Sequence, residues 1–140
     1  MNAVIIGVSL GVFIIVLFSI LRQFDKKIIY GLILSGIGFL YVGFAWTDLQ
    51  ALLTNSVQAV VVVFIAYYGS TKNINILAAG YFLHGIWDLV YPTFQNPDLL
   101  PPHYDLFCWS IDFTIGFYLL VYKYNYDRKV KRQTKANLAV

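Results

Sequence analysis

The chain has 140 residues, enough for one domain, of which 59% are hydrophobic and only 12% charged. A soluble domain needs roughly 25% charged residues to keep its surface wetted, and a mean hydropathy of +0.69 leaves no such surface here. A cytosolic enzyme and a disordered tail are excluded, and a single Cys excludes a disulfide scaffold. The net charge of +3 does not point to nucleic acid; the basic residues are placed as markers of membrane orientation.

Five apolar runs follow one another. The first, 2–21, carries no charge and is interrupted by Arg22, Asp25, Lys26 and Lys27. A cleaved signal peptide needs a basic start, a short apolar core and a small-residue cleavage site; this run has none of these and is expected to be a retained span. The second, 28–46, is closed by Thr47 and Asp48, and the third, 51–69, is broken by residues 70–73. Thr54, Asn55, Ser56 and Gln58 weaken the start of the third, so four spans with a long second loop are the alternative. The fourth, 74–91, stops at Pro92, and the fifth, 106–122, gives way to Lys123 and a polar tail. Each run is close to the ~20 residues that carry a helix across a hydrocarbon core of ~30 Å. The runs show no period-2 alternation, and in lipid a helix satisfies its own backbone. The expected fold is therefore all-α, a polytopic bundle of five transmembrane helices over 1–123 followed by a basic cytoplasmic tail, 124–140.

Charge placement orients this bundle. With the N-terminus outside and the C-terminus inside, the inner segments hold Arg22, Lys26, Lys27, Lys72, Lys123, Arg128, Lys129, Lys131, Arg132 and Lys135, which is every basic residue in the chain. Cytoplasmic retention of Lys and Arg is the main topological signal, and four spans would split the set. A bacterial-type inner membrane is the expected location. Tyr67, Tyr68, Tyr122 and Tyr124 fall at the inner ends, and Trp46, Trp87, Tyr91, Tyr104 and Trp109 near the outer ends, as interfacial aromatics. The lipid bilayer is the expected partner, the tail resting on anionic headgroups at about 1 kcal/mol per basic residue. Gly31, Ser35 and Gly38 form a small-residue stripe suited to close helix packing, within one chain or between protomers of a homo-oligomer.

The acids are sorted the other way. There is no Glu; of the seven Asp residues only Asp25 and Asp127 lie with the inner basic residues, while Asp48, Asp88, Asp98, Asp105 and Asp112, with both histidines, fall in the outer half. His84 and Asp88 are four apart on the fourth span and share a face, with Gly80 one turn deeper. Asp105, Cys108 and Asp112 share a face of the fifth. Helical rise puts His84, Asp88 and Asp112 about 6–12 Å below the outer helix ends, one layer on consecutive antiparallel helices. Polar groups at that depth turn to the bundle interior or a wet cavity. The connecting segment, with Pro97, Pro101 and Pro102, reads as a shaped lid that ends in His103, Tyr104 and Asp105 above that layer. His84, Asp88, Asp112, His103 and Asp105 are thus the candidate ligand or metal residues of an outer-facing cavity. Trp87, Tyr91, Cys108, Trp109, Asp48 and Gln58 are its candidate lining.

Three readings of the cluster remain open. The pairs fasten helices, at about 0.6–2 kcal/mol. Alternatively, the imidazoles and carboxylates hold a cation, a mixed N/O set suited to a divalent metal such as Zn, Mn or non-haem Fe. In the third, they handle protons without metal, in acid–base catalysis on a lipid-like substrate or in a transport or accessory subunit. No Ser–His–Asp order, CxxC or HExxH motif is present, no phosphate-binding loop follows the Gly-rich second span, and no catalytic residue is assigned.

His84-Gly-Ile-Trp-Asp88, followed by an aromatic, a proline-containing outer loop and a last span with an acid near its start, resembles a family of uncharacterised small bacterial integral membrane proteins with an H-x-x-W-D motif on the penultimate span. The resemblance covers roughly 21–122 and implies a membrane bundle with His84, Trp87 and Asp88 at its distinctive site, and Asp112 as a looser match. Tyr91-Pro92 stands where that family would continue with histidines.

Overall fold

A computed structural model describes residues 2–21 and 23–138. Its order is α1 (Asn2–Ile20), α2 (Lys26–Phe44), α3 (Leu49–Thr71), α4 (Ile74–Val90), two 3₁₀ turns (Tyr91–Thr93 and Pro97–Leu99) and α5 (Tyr104–Leu138), with no strand among the described residues. Four of these helices, all but α4, are long and apolar enough to cross a membrane; α4 has 17 residues.

Short polar residues start the helices. Asp25 caps α2 by accepting from the Lys27 and Ile28 amides at 2.8 and 3.4 Å. Asp48 caps α3 through the Ala51 amide at 3.0 Å, and Asn73 caps α4 through the Asn75 amide at 3.0 Å. Each satisfies a backbone donor that the first turn leaves free, worth about 1 kcal/mol. The polar residues Thr54, Asn55, Ser56 and Gln58 do not delay α3, which begins at Leu49 after a short turn. Asn55 is turned into the bundle and fully buried, so the long second loop of the four-span alternative does not form. At the other extreme, α5 runs unbroken through the basic segment to Leu138. No Gly or Pro interrupts residues 117–138, and Lys123 pairs with Asp127 one turn on at 2.8 Å, so nothing local stops the helix.

The helices pack in the order α1, α5, α4, α3, α2, with α2 also reaching α4. The core joins Tyr30 and Leu34 of α2, Val62 and Ala66 of α3, Leu77, Ala78 and Tyr81 of α4, and Ile111, Ile115 and Leu119 of α5. Helix α1 stands outermost and buries only Gly7 and Gly11, a Gly-x-x-x-Gly face of the kind that lets helix backbones touch. A Cβ at Gly7 would collide with Ser110 Oγ and the Phe107 carbonyl, and one at Gly11 would lie 3.0 Å from Thr114. Gly7→Leu is therefore expected to loosen α1 from α5 by about 1–3 kcal/mol, read as a lower unfolding midpoint in detergent. Val8→Leu, on the exposed face, is expected to stay within about 0.5 kcal/mol.

Candidate functional site

One layer of the bundle carries the chemistry. On α4, His84 and Asp88 stack four residues apart, about 9 and 3 Å from the Val90 end by helical rise. On α5, Asp112 lies about 12 Å from the Tyr104 end. Gly85 allows the two helices to meet: a Cβ there would lie 3.0 Å from the Phe113 ring and 3.4 Å from Asp112 Cβ. His84 Nδ1 reaches Asp112 Oδ2 at 2.8 Å and Asp88 Oδ1 at 3.6 Å, and all three side chains are fully buried. From α2, the Tyr41 hydroxyl donates to Asp88 Oδ1 at 2.6 Å. From α3, Asn55 Nδ2 donates to the Tyr41 carbonyl at 3.3 Å and to the Tyr91 hydroxyl at 3.1 Å. Four helices thus contribute to one polar layer.

That layer is not self-sufficient. His84 Nε2, Asp88 Oδ2 and Asp112 Oδ1 are buried and have no hydrogen-bond partner. Each buried group left unmatched costs about 1–3 kcal/mol, and no Lys or Arg pairs with the layer among the described residues. Two carboxyls therefore face one imidazole, and their charges balance only with an additional proton or cation. One imidazole nitrogen and one oxygen from each carboxyl lie within 4.8 Å of one another, close enough to hold a metal ion. The donor set of one N and two O suits first-row divalent ions such as Zn, Mn and Fe(II).

Toward the loop end the layer is closed by aromatics. Tyr41 stacks edge-on against His84, Tyr91 and Tyr104, with centroids 5.8, 4.9 and 5.9 Å apart. Trp87 and Phe94 continue this roof at 5.2 Å. The open space beside the layer is lateral. A cavity of about 630 Å³ lies between α3 and α4, with Val57, Val61, Val62, Ile65 and Leu83 as its apolar wall and Gln58, His84 and Trp87 as its polar points.

The remaining candidates are distributed elsewhere. His103 is exposed, takes a left-handed φ of 61° and lines a separate loop-side hollow with Asp98 and Asp105. Asp48 is occupied as the α3 cap. Cys108 is buried beneath Tyr104, one turn along α5, and Trp109 packs on Phe113 at 5.1 Å. Gln58 and Trp87 border the lateral cavity, and Tyr91 belongs to the aromatic roof.

Sequence reasoning missed Tyr41 and Asn55. Tyr41 lies on the buried face of α2 that also carries Tyr30, Leu34 and Gly38, and that periodicity was available as a signal. Asn55 read as a polar interruption of an apolar run. Tyr41→Phe removes the Asp88 contact without opening a cavity and is expected to cost about 1.5–3 kcal/mol, the range for a hydrogen bond to a charged group, measured by denaturant unfolding in detergent.

The chain belongs to a family of unknown function, DUF6010, whose model matches residues 2–124. That span takes in all of the buried layer. Comparison with curated proteins and with solved structures finds no match.

Proposed function

We propose that this family member is an integral membrane protein of five spans, N-terminus outside and C-terminus in the cytoplasm, whose His84, Asp88 and Asp112 bind a divalent cation in the outer half of the bilayer. The observation that carries the reading is that one imidazole nitrogen of His84 and one oxygen from each of Asp88 and Asp112, all three side chains fully buried, lie within 4.8 Å of one another. A mere helix fastener would use its donors and acceptors on one another, and this layer leaves an oxygen of each carboxyl over. A cation there neutralises the excess carboxyl charge and supplies a Lewis acid able to polarise an oxygen of a bound molecule. Around it the chain's own residues orient the ligands: Tyr41 holds Asp88, and the tyrosine roof excludes water from the loop side. The same layer supports a proton-handling role, because Asp112 fixes one ring nitrogen of His84 at 2.8 Å and the other is left free.

The topology has its own support. At 1.5 Å per residue α4 is about 26 Å long, and the 3₁₀ turn after it adds about 6 Å, enough for the hydrocarbon core. Lys26, Lys27, Lys72 and Lys123 line one hollow, at the opposite end of the bundle from His84 and Asp112, as positive charge kept on the cytoplasmic side would place them. A reporter fused at Asn96 is expected outside and one after residue 140 inside; an inner Asn96 contradicts the orientation.

Thermal unfolding tests the cation. Wild-type protein in detergent is titrated with Zn, Mn or Fe(II) after chelation. A free concentration 100 times Kd is expected to stabilise it by about 2.7 kcal/mol. Asp88→Asn and Asp112→Asn are expected to lose that gain. No stabilisation by any of these ions, or a gain that both variants keep, defeats the reading.

A further inference from the structure

The cavity between α3 and α4 differs from an ordinary lipid-facing furrow in its polar points. Val57, Val61 and Leu83 give it an exposed apolar wall. Within that wall both amide atoms of Gln58, the indole nitrogen of Trp87 and Nε2 of His84 are buried and unpartnered. His84 is 1% exposed, so it closes the floor of the groove. An apolar acyl chain alone would leave all four atoms unmatched, at about 1–3 kcal/mol each. No Lys or Arg among the described residues lines the groove, so a phosphate headgroup would find no counter-charge there.

We infer that this groove binds a neutral, hydroxyl-bearing lipid that enters sideways from the bilayer, its apolar body along α3 and α4 and its hydroxyl against Gln58, Trp87 and His84. A hydroxyl is the smallest group that both donates and accepts. Gln58 offers an acceptor and a donor, Trp87 a donor, and His84 Nε2 either role according to which ring nitrogen holds the proton. The groove runs from Leu53 to Ile65 on α3, about 18 Å by helical rise, which accommodates the body of a long-chain alcohol. Gly80 lines its inner part, where the helices are closely packed: a Cβ there would press on Ile65 and Leu34 at 2.7 and 2.8 Å. The groove shares His84 with the proposed cation site; Gln58 and Trp87 take no part in that site, and the test is therefore read on the groove's own residues.

The test uses full-length protein in neutral-lipid nanodiscs with chelator present, so that failure of the cation reading leaves the readouts unmoved. A long-chain alkanol carrying a diazirine is photo-crosslinked and the labelled peptides are mapped by mass spectrometry. Labelling is expected to concentrate on residues 53–65 and 80–87, and to be low on α1, whose apolar surface is mostly exposed. Unlabelled alkanol is expected to compete about tenfold better than its methyl ether, equivalent to about 1.4 kcal/mol. Gln58→Leu is expected to erase most of that preference. Val61→Trp, which fills the groove from an exposed position, is expected to suppress labelling several-fold with an unchanged unfolding midpoint. Labelling spread over all helices in proportion to their lipid exposure, equal competition by alkanol and ether, or full labelling of folded Val61→Trp would each overturn the inference.

Discussion

Asp112→Ala is expected to cost about 3–5 kcal/mol in detergent unfolding, because it removes one partner of a fully buried pair and leaves the other without compensation. The His84 ring would keep only the longer 3.6 Å approach to Asp88, in a layer that water reaches from neither the loop end nor the core. Asp112→Asn, which preserves shape and one acceptor, is expected to lose less stability while losing the cation. The double variant His84→Leu with Asp112→Leu is expected to recover much of the Asp112→Ala loss, since two matched apolar residues leave no stranded polar group. A loss below about 1 kcal/mol for Asp112→Ala would mean that the layer is already solvated, contrary to the burial described.

The second large effect is expected at Gly69, where α3 turns into α4. A Cβ added there would lie 2.6 Å from both Cα and N of Leu77. Those are backbone atoms, unable to swing aside as a side-chain tip can. Gly69→Ala is therefore expected to force the two helices apart and to cost about 3 kcal/mol, the upper end for overpacking. Gly36→Ala is the matched control: nothing lies within 4 Å of its added Cβ, and the better helix former is expected to be neutral or stabilising by up to about 1 kcal/mol. Equal unfolding midpoints for the two variants would contradict the close approach of α3 and α4.

The two ends of this structure were not equally legible in the sequence. Apolar runs bounded by Asp25, Asp48, Asn73 and Pro92 mark the helices to within a few residues, because chain length in lipid and capping chemistry are both local. The convergence of His84, Asp88 and Asp112 is almost as local: one helical period and one antiparallel connection bring them to a common depth. What period and depth do not give is rotation. Whether Tyr41 or another α2 residue meets Asp88 depends on how α2 is turned, and that is set by where small residues allow contact, such as Gly38, whose added Cβ would lie 3.2 Å from Val62. The same limit hid Asn55, whose inward turn makes it a hydrogen-bond donor to two residues. His103 and Asp105 looked close to the layer because they are near it in sequence. The start of α5 at Tyr104 carries them to the loop side, with the aromatic roof between. The helical course of residues 124–138 was obscured for another reason: a polar, basic segment buries little, and its continuation rests on an uninterrupted backbone pattern and the Lys123–Asp127 pair.

Elemental analysis of protein loaded with divalent metal and freed of excess ion tests the central claim most directly. One equivalent of a transition metal per chain is expected for the wild type, and none for the variant in which His84, Asp88 and Asp112 are replaced together by Leu, Leu and Leu. An empty wild-type protein after loading, or the same metal content in both, would contradict the account.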